Sequence, residues 1–67
     1  MNMENLFIPN AGRHIGYLKR LCTVLKKNNI NNIDELIKMK PEDIIKLPGI
    51  GWISYIIIIK TIKENEL

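Results

Sequence analysis

The apolar positions of this chain keep different periods in different stretches. From about Arg13, Ile15, Leu18, Leu21, Cys22 and Leu25 recur at steps of three and four, which is one face of an amphipathic helix. Asn28-Asn29 closes it, because asparagine is the commonest non-glycine residue in the left-handed conformation that ends helices. Before it, residues 1–12 hold Pro9, Asn10 and Gly12 and keep no helical period. That stretch predicts an extended N-terminal arm that lays Leu6, Phe7 and Ile8 on the domain. After Ile30, Asn32-Ile33-Asp34-Glu35 reads as a capping box with Asn32 at the N-cap and Glu35 at N3, opening a short helix from 33 to about 38. Pro41 suits the first position of another helix, with Glu42 and Asp43 complementing the dipole of its first turn. Ile44, Ile45 and Leu47 give that helix its apolar side, and Pro48-Gly49 ends it.

The element from Trp52 to about residue 63 is harder to assign. Ile56-Ile57-Ile58-Ile59 suits a strand by propensity. A solitary strand would have no partner, however, and Lys60 and Lys63 stand where a helix C-terminus favours cations, so a helix is expected. At 100° per residue, Ile50, Tyr55, Ile58 and Ile62 face a core, which leaves Trp52, Ile56 and Ile59 on an adjoining face with Ile53 and Ile57 beside it. Either the arm covers that second face, or it is an exposed apolar patch of the kind that meets partners. The expected fold is all-α: a compact bundle of four to five short helices in one domain, 13–67, preceded by the extended arm, 1–12.

Composition narrows the picture in a few respects. At 67 residues the chain makes one small domain, near the lower limit for a core without disulfides or metal. The lone cysteine, Cys22, excludes an internal disulfide, and with His14 the only histidine, no metal-ligand spacing is present. A reducing, cytoplasmic setting is expected. No basic segment followed by a long apolar one opens the chain, and the longest apolar run, 55–59, is far too short to span a bilayer. Ten Lys/Arg against seven Asp/Glu give a net charge of +3, which permits nucleic-acid binding without requiring it. No carboxylate pair, and no nucleophile beside a base, suggests an enzyme, and no cofactor is expected. His14 reads as a helix-start residue, Cys22 as a small buried one, and Tyr17 and Tyr55 as packing residues.

The candidate chemistry lies in Leu47-Pro48-Gly49-Ile50-Gly51 and the Trp52-Ile53-Ser54 that follows. A tight turn with two glycines around one aliphatic residue, leading straight into a helix, reads as the hairpin of a helix-hairpin-helix spanning 41–64. Its glycines let the backbone approach a phosphate, and the amides opening the second helix form an anion site. On the first long helix, Lys19, Arg20, Thr23, Lys26 and Lys27 form a basic stripe opposite the apolar one.

The order of these pieces resembles the C-terminal domain of the bacterial RNA polymerase alpha subunit. The likeness is carried by Leu18-Lys19-Arg20-Leu21-Cys22-Thr23-Val24-Leu25-Lys26-Lys27-Asn28-Asn29-Ile30, then Ile33-Asp34-Glu35-Leu36, then 42–51 and Ser54, and extends from Leu18 to about Leu67. The resemblance implies a non-catalytic, transcription-related DNA-binding module. Its groove-reading arginine falls on Arg20, its helix lysine on Lys26, its hairpin glycine on Gly51 and its phosphate-binding serine on Ser54. With the amides of Gly49, Ile50 and Gly51, these would hold the backbone and read an A·T-rich minor groove. Where the family usually has basic or polar residues after the hairpin glycine, this chain has Trp52 and Ile53, so weaker affinity and a flatter salt dependence are expected. The alternative is a protein-interaction module that uses Trp52, Ile53, Ile56 and Ile59 to form a homodimer or to dock on a larger partner such as RNA polymerase.

Overall fold

The computed structural model describes residues 3–65, and Met1, Asn2, Glu66 and Leu67, at the ends of the expected arm and domain, lie outside the described residues. The described chain is all-α, as the sequence predicts. Five helices, α1 (Met3–Ala11), α2 (Leu18–Lys27), α3 (Ile33–Ile37), α4 (Pro41–Ile45) and α5 (Trp52–Asn65), are joined by short turns and one 3₁₀ segment, Gly12–Tyr17. They pack into a body of 28 × 25 × 22 Å.

The N-terminal stretch corrects the expectation of an extended arm. Residues 3–11 are helical, and Met3, Phe7 and Ala11, at steps of four, are buried against α2 and α5. Phe7 is fully enclosed. Pro9 lies inside this helix, and both it and Asn5, whose carbonyl loses its usual donor, are exposed, so water can satisfy that carbonyl. Side-chain hydrogen bonds fasten the end of α1 to α5. The amide of Asn10 donates to Oγ1 of the buried Thr61 (3.2 Å) and to Oε2 of Glu64 (3.1 Å), while the Thr61 hydroxyl donates to the Ile57 carbonyl (2.8 Å).

The first long helix also begins later than its apolar spacing suggests. Gly12 (φ 53°) breaks the chain from α1, and His14 has non-helical angles, so 12–17 winds as a 3₁₀ segment. A tighter winding changes the angular phase of every residue in it. Ile15 accordingly turns outward and is 55 % exposed, whereas Leu18, Leu21, Cys22 and Leu25 of α2 are buried as expected.

The remaining boundaries follow the local chemistry. Asn29 adopts φ 63°, with its amide bonded to the Lys26 carbonyl (3.0 Å) and that of Ile30 to the Leu25 carbonyl (2.9 Å). Those two bonds, with Ile30 and Leu25 both buried, make a Schellman end. Asn32 caps α3 by accepting from the Glu35 amide (2.9 Å), and its own side-chain amide donates to Glu35 Oε1 (3.1 Å). Pro41 opens α4.

On α5 the buried residues are Ile57, Ile58, Thr61 and Ile62. Ile58 and Ile62 were expected there, whereas Ile50 and Tyr55 are only half-buried. Ile57 is buried because α1 is a helix laid on α5 and covers more of it than a thin arm would.

Candidate nucleic-acid interface

The hairpin is set on α2 by one close approach. Gly49 has φ 91°, and a Cβ built on it would stand 3.1 and 3.2 Å from the two methyl carbons of Val24. Its glycine is thus demanded both by backbone conformation and by contact with α2. Gly51 differs, since it has no positive φ and a Cβ there would meet open space. The carbonyl of Gly51 accepts from the Tyr55 amide (3.0 Å), which makes Gly51 the N-cap of α5. It has no side chain with which to cap, so the amides of Trp52, Ile53 and Ser54 start the helix without intrahelical partners. Ile50 plays a different part from its neighbours: it packs half-buried on the core, and its amide is engaged in the turn with the Leu47 carbonyl (3.1 Å).

Docking Gly49 on Val24 places the start of α5 beside Arg20, one turn earlier on α2. Tyr17, Arg20, Gly49, Gly51, Trp52, Ile53 and Ser54 together line one open cleft of about 310 Å³. Four of the expected nucleic-acid residues, Arg20, Gly49, Gly51 and Ser54, are therefore brought together from parts of the chain about thirty residues apart. No carboxylate lines this cleft. Between Arg13 and Ile33 the sequence carries Arg13, Lys19, Arg20, Lys26 and Lys27 and no acid, so α2 itself bears only positive charge, although Glu4 of α1 lies against its Lys19–Lys26 side.

Lys26 does not join this group. It lines a separate hollow of about 460 Å³ with Met3, Glu4, Lys19, Cys22, Thr23 and Asn31. Six residues on a helix turn the side chain about 120° away from Arg20, whereas the seven-residue step to Lys27 returns to the same line with Val24 between. Burial pushes the Cys22 thiol up from its ordinary pKa, and the negative charge of Glu4 adds to this while Lys26 opposes it. The thiol is consequently protonated and poorly nucleophilic.

The apolar face of α5 is split. Trp52 is 68 % exposed and Ile56 36 %, while Ile53 and Ile59 are half-buried. Ile53 and Ile56 border a hollow with Arg13, His14 and Lys60, whereas Ile59 lies toward α4 with Met39 and Pro41. The N-terminal segment covers Ile57 and leaves Trp52 open. The Trp52 ring stacks on Tyr55, with centroids 5.5 Å apart and planes inclined by 27°. Tyr17, 43 % exposed at the other side of the cleft, meets His14 edge-on (5.8 Å, 65°).

Two cleft residues carry signals that periodicity alone does not weigh. Tyr17 precedes Arg20 by three positions, and Trp52 stands at the first position of α5, where a side chain points back over the preceding turn. Among the described residues no cluster of His, Cys, Asp and Glu can hold a metal ion, and no helix is long and apolar enough to cross a membrane. No protein family, curated protein or solved structure matches this chain.

Proposed function

We infer that this domain is a non-catalytic DNA-binding module that grips the sugar-phosphate backbone at the hairpin and places Arg20 in an A·T-rich minor groove. The observation that carries this reading is the cleft itself, in which Arg20, Gly51, Ser54 and the uncapped amides of α5 meet with no carboxylate in the lining. A phosphate set against the start of α5 would take hydrogen bonds from those amides and favourable interaction with the helix dipole, and Gly51 offers no Cβ to obstruct it. Arg20, at the rim, has the planar donor fork suited to phosphate or to a narrow groove. Lys27 extends the positive line along α2, and Lys26 contributes only to the general field. The resemblance to the polymerase alpha C-terminal domain adds a role in transcription.

A second reading is favoured by the exposure of Trp52 and Ile56, which suits a contact with a protein such as RNA polymerase or with a second copy. The patch is small, because Ile53 and Ile59 are half-covered, whereas a stable dimer buries roughly 800 Å² on each partner. DNA is therefore placed first.

The test is an amide chemical-shift titration with a short A·T-rich duplex, at low and then moderate salt. Shifts concentrated at Arg20, Gly51, Trp52 and Ser54 and fading with salt are expected. Arg20→Ala should weaken binding about tenfold, and Lys26→Ala by no more than about twofold. Equal losses, or shifts scattered over all lysines, would reduce the reading to bulk charge attraction.

A further inference from the structure

We propose that the cleft receives an unpaired nucleobase, which stacks on Trp52 while its phosphate is held beside Arg20, so that the module prefers single-stranded or locally opened DNA to intact duplex. This rests on the backbone grip of the nucleic-acid reading above and, where a base is unpaired, puts a phosphate contact in the place of groove reading by Arg20.

The argument starts from Trp52. Among the large apolar side chains exposed in the described residues it is the most open, although tryptophan ordinarily gains the most from burial. Its ring is nevertheless ordered from one side. Tyr55, three residues on and half-buried, stacks against it and fixes its attitude. The outcome is a supported platform with its remaining surface toward the cleft and solvent. Tyr17 provides a second exposed ring in the same cleft, contributed by another part of the chain. Tyr55 is a packing residue on the core, as the sequence predicts, whereas Tyr17, also read as packing, is 43 % exposed and shares the cleft with Trp52.

Charge selects the occupant. Exposed aromatic rings beside a cation, in a cleft lined by no carboxylate, combine the two features by which proteins hold single strands: base stacking and backbone attraction. The size of the cleft, about 310 Å³, suits one nucleotide rather than a long strand. An intact duplex offers no free ring face, since each base is stacked between neighbours, so stacking on Trp52 requires a base that has left the helix. A·T pairs, the more weakly held, open most readily, which agrees with the A·T-rich ligand expected for Arg20.

Trp52 is the only tryptophan, so its fluorescence reports this site alone. The intact protein is titrated with a short oligo-dT strand, an A·T-rich duplex, and the same duplex carrying a bulge of unpaired thymines. The single strand and the bulged duplex should quench Trp52 saturably and bind about tenfold more tightly than the paired duplex. By anisotropy of a labelled strand, Trp52→Leu should lose about tenfold in oligo-dT affinity, whereas Trp52→Phe should keep most of it, with circular dichroism confirming that both remain folded. Equal affinity for paired and unpaired DNA, with Trp52 unquenched, overturns the stacking site and leaves the backbone reading in place. Absence of binding to all three ligands at low salt removes both. A concentration-dependent blue shift of Trp52 in the protein alone, without DNA quenching, overturns the proposal in favour of contact between copies.

Discussion

At the scale of single residues, the two hairpin glycines separate stability from binding. Gly49 is held at φ 91° and pressed on Val24, so Gly49→Ala combines left-handed strain with overpacking and should cost about 2 kcal/mol, read as a lower midpoint in urea. Gly51 has neither constraint. Gly51→Asp supplies the missing N-cap of α5 and should leave stability unchanged or raise it by a few tenths of a kcal/mol. The same carboxylate would stand where a phosphate is to sit, and DNA binding should fall by at least about tenfold. A Gly51→Asp protein that binds DNA as well as the parent would place the phosphate elsewhere. Much at this scale was legible in the sequence, including the Asn29 turn, the Asn32–Glu35 cap and Pro41 at a helix start, because each depends on residues within a few positions of one another. The distinct duties of Gly49 and Gly51 were not legible, since one of them is set by Val24, twenty-five positions away.

At the scale of elements, α1 shows where local reading fails. Pro9 and Gly12 look like loop residues, yet Met3, Phe7 and Ala11 form a stripe that becomes favourable once α2 and α5 offer a surface to cover. Tertiary burial decides such marginal helices more than propensity does. Because Phe7 is fully enclosed, Phe7→Ala should cost about 3–5 kcal/mol, a large share of the stability of so small a domain. Ile8→Ala, on the exposed side of α1, should change stability by no more than about 0.5 kcal/mol. Thermal unfolding of the two variants checks this, and comparable losses would mean that α1 does not pack as described. The same tertiary effect moved the core of α5 toward Ile57 and, by stopping there, left Trp52 uncovered. Lys26 stands apart from the Arg20 cleft for another reason: alignment with a family pattern carries no angular information, whereas the 100° step along α2 brings Lys27 onto the line of Arg20.

At the scale of the whole molecule, the distribution of charge bounds how DNA can be held. The acids Asp34, Glu35, Glu42 and Asp43 gather in the first turns of α3 and α4, while α2 itself carries cations alone and meets one acid, Glu4, on the side away from the cleft. The net charge of +3 is therefore less informative than its asymmetry. Yet of the α2 cations only Arg20 and Lys27 lie along the line that passes the hairpin, and Trp52 and Ile53 occupy positions where further cations would meet a backbone. With one or two phosphates neutralised, affinity should vary with salt at a log–log slope of about −0.9 to −1.8, a loss of roughly three- to twelvefold between 50 and 200 mM. Were all ten cations engaged, the loss over the same interval would be about 10⁵-fold. A shallow slope has a consequence for the ligand. Electrostatic attraction that weak cannot by itself give useful affinity at moderate salt, so much of the binding must come from a contact that salt does not screen, and Trp52 is the side chain placed to provide it. Repeating the salt series with Trp52→Leu separates the two contributions: the slope should stay the same while the whole line drops, whereas a change of slope would mean that the substitution had disturbed Arg20 rather than removed a stacking surface.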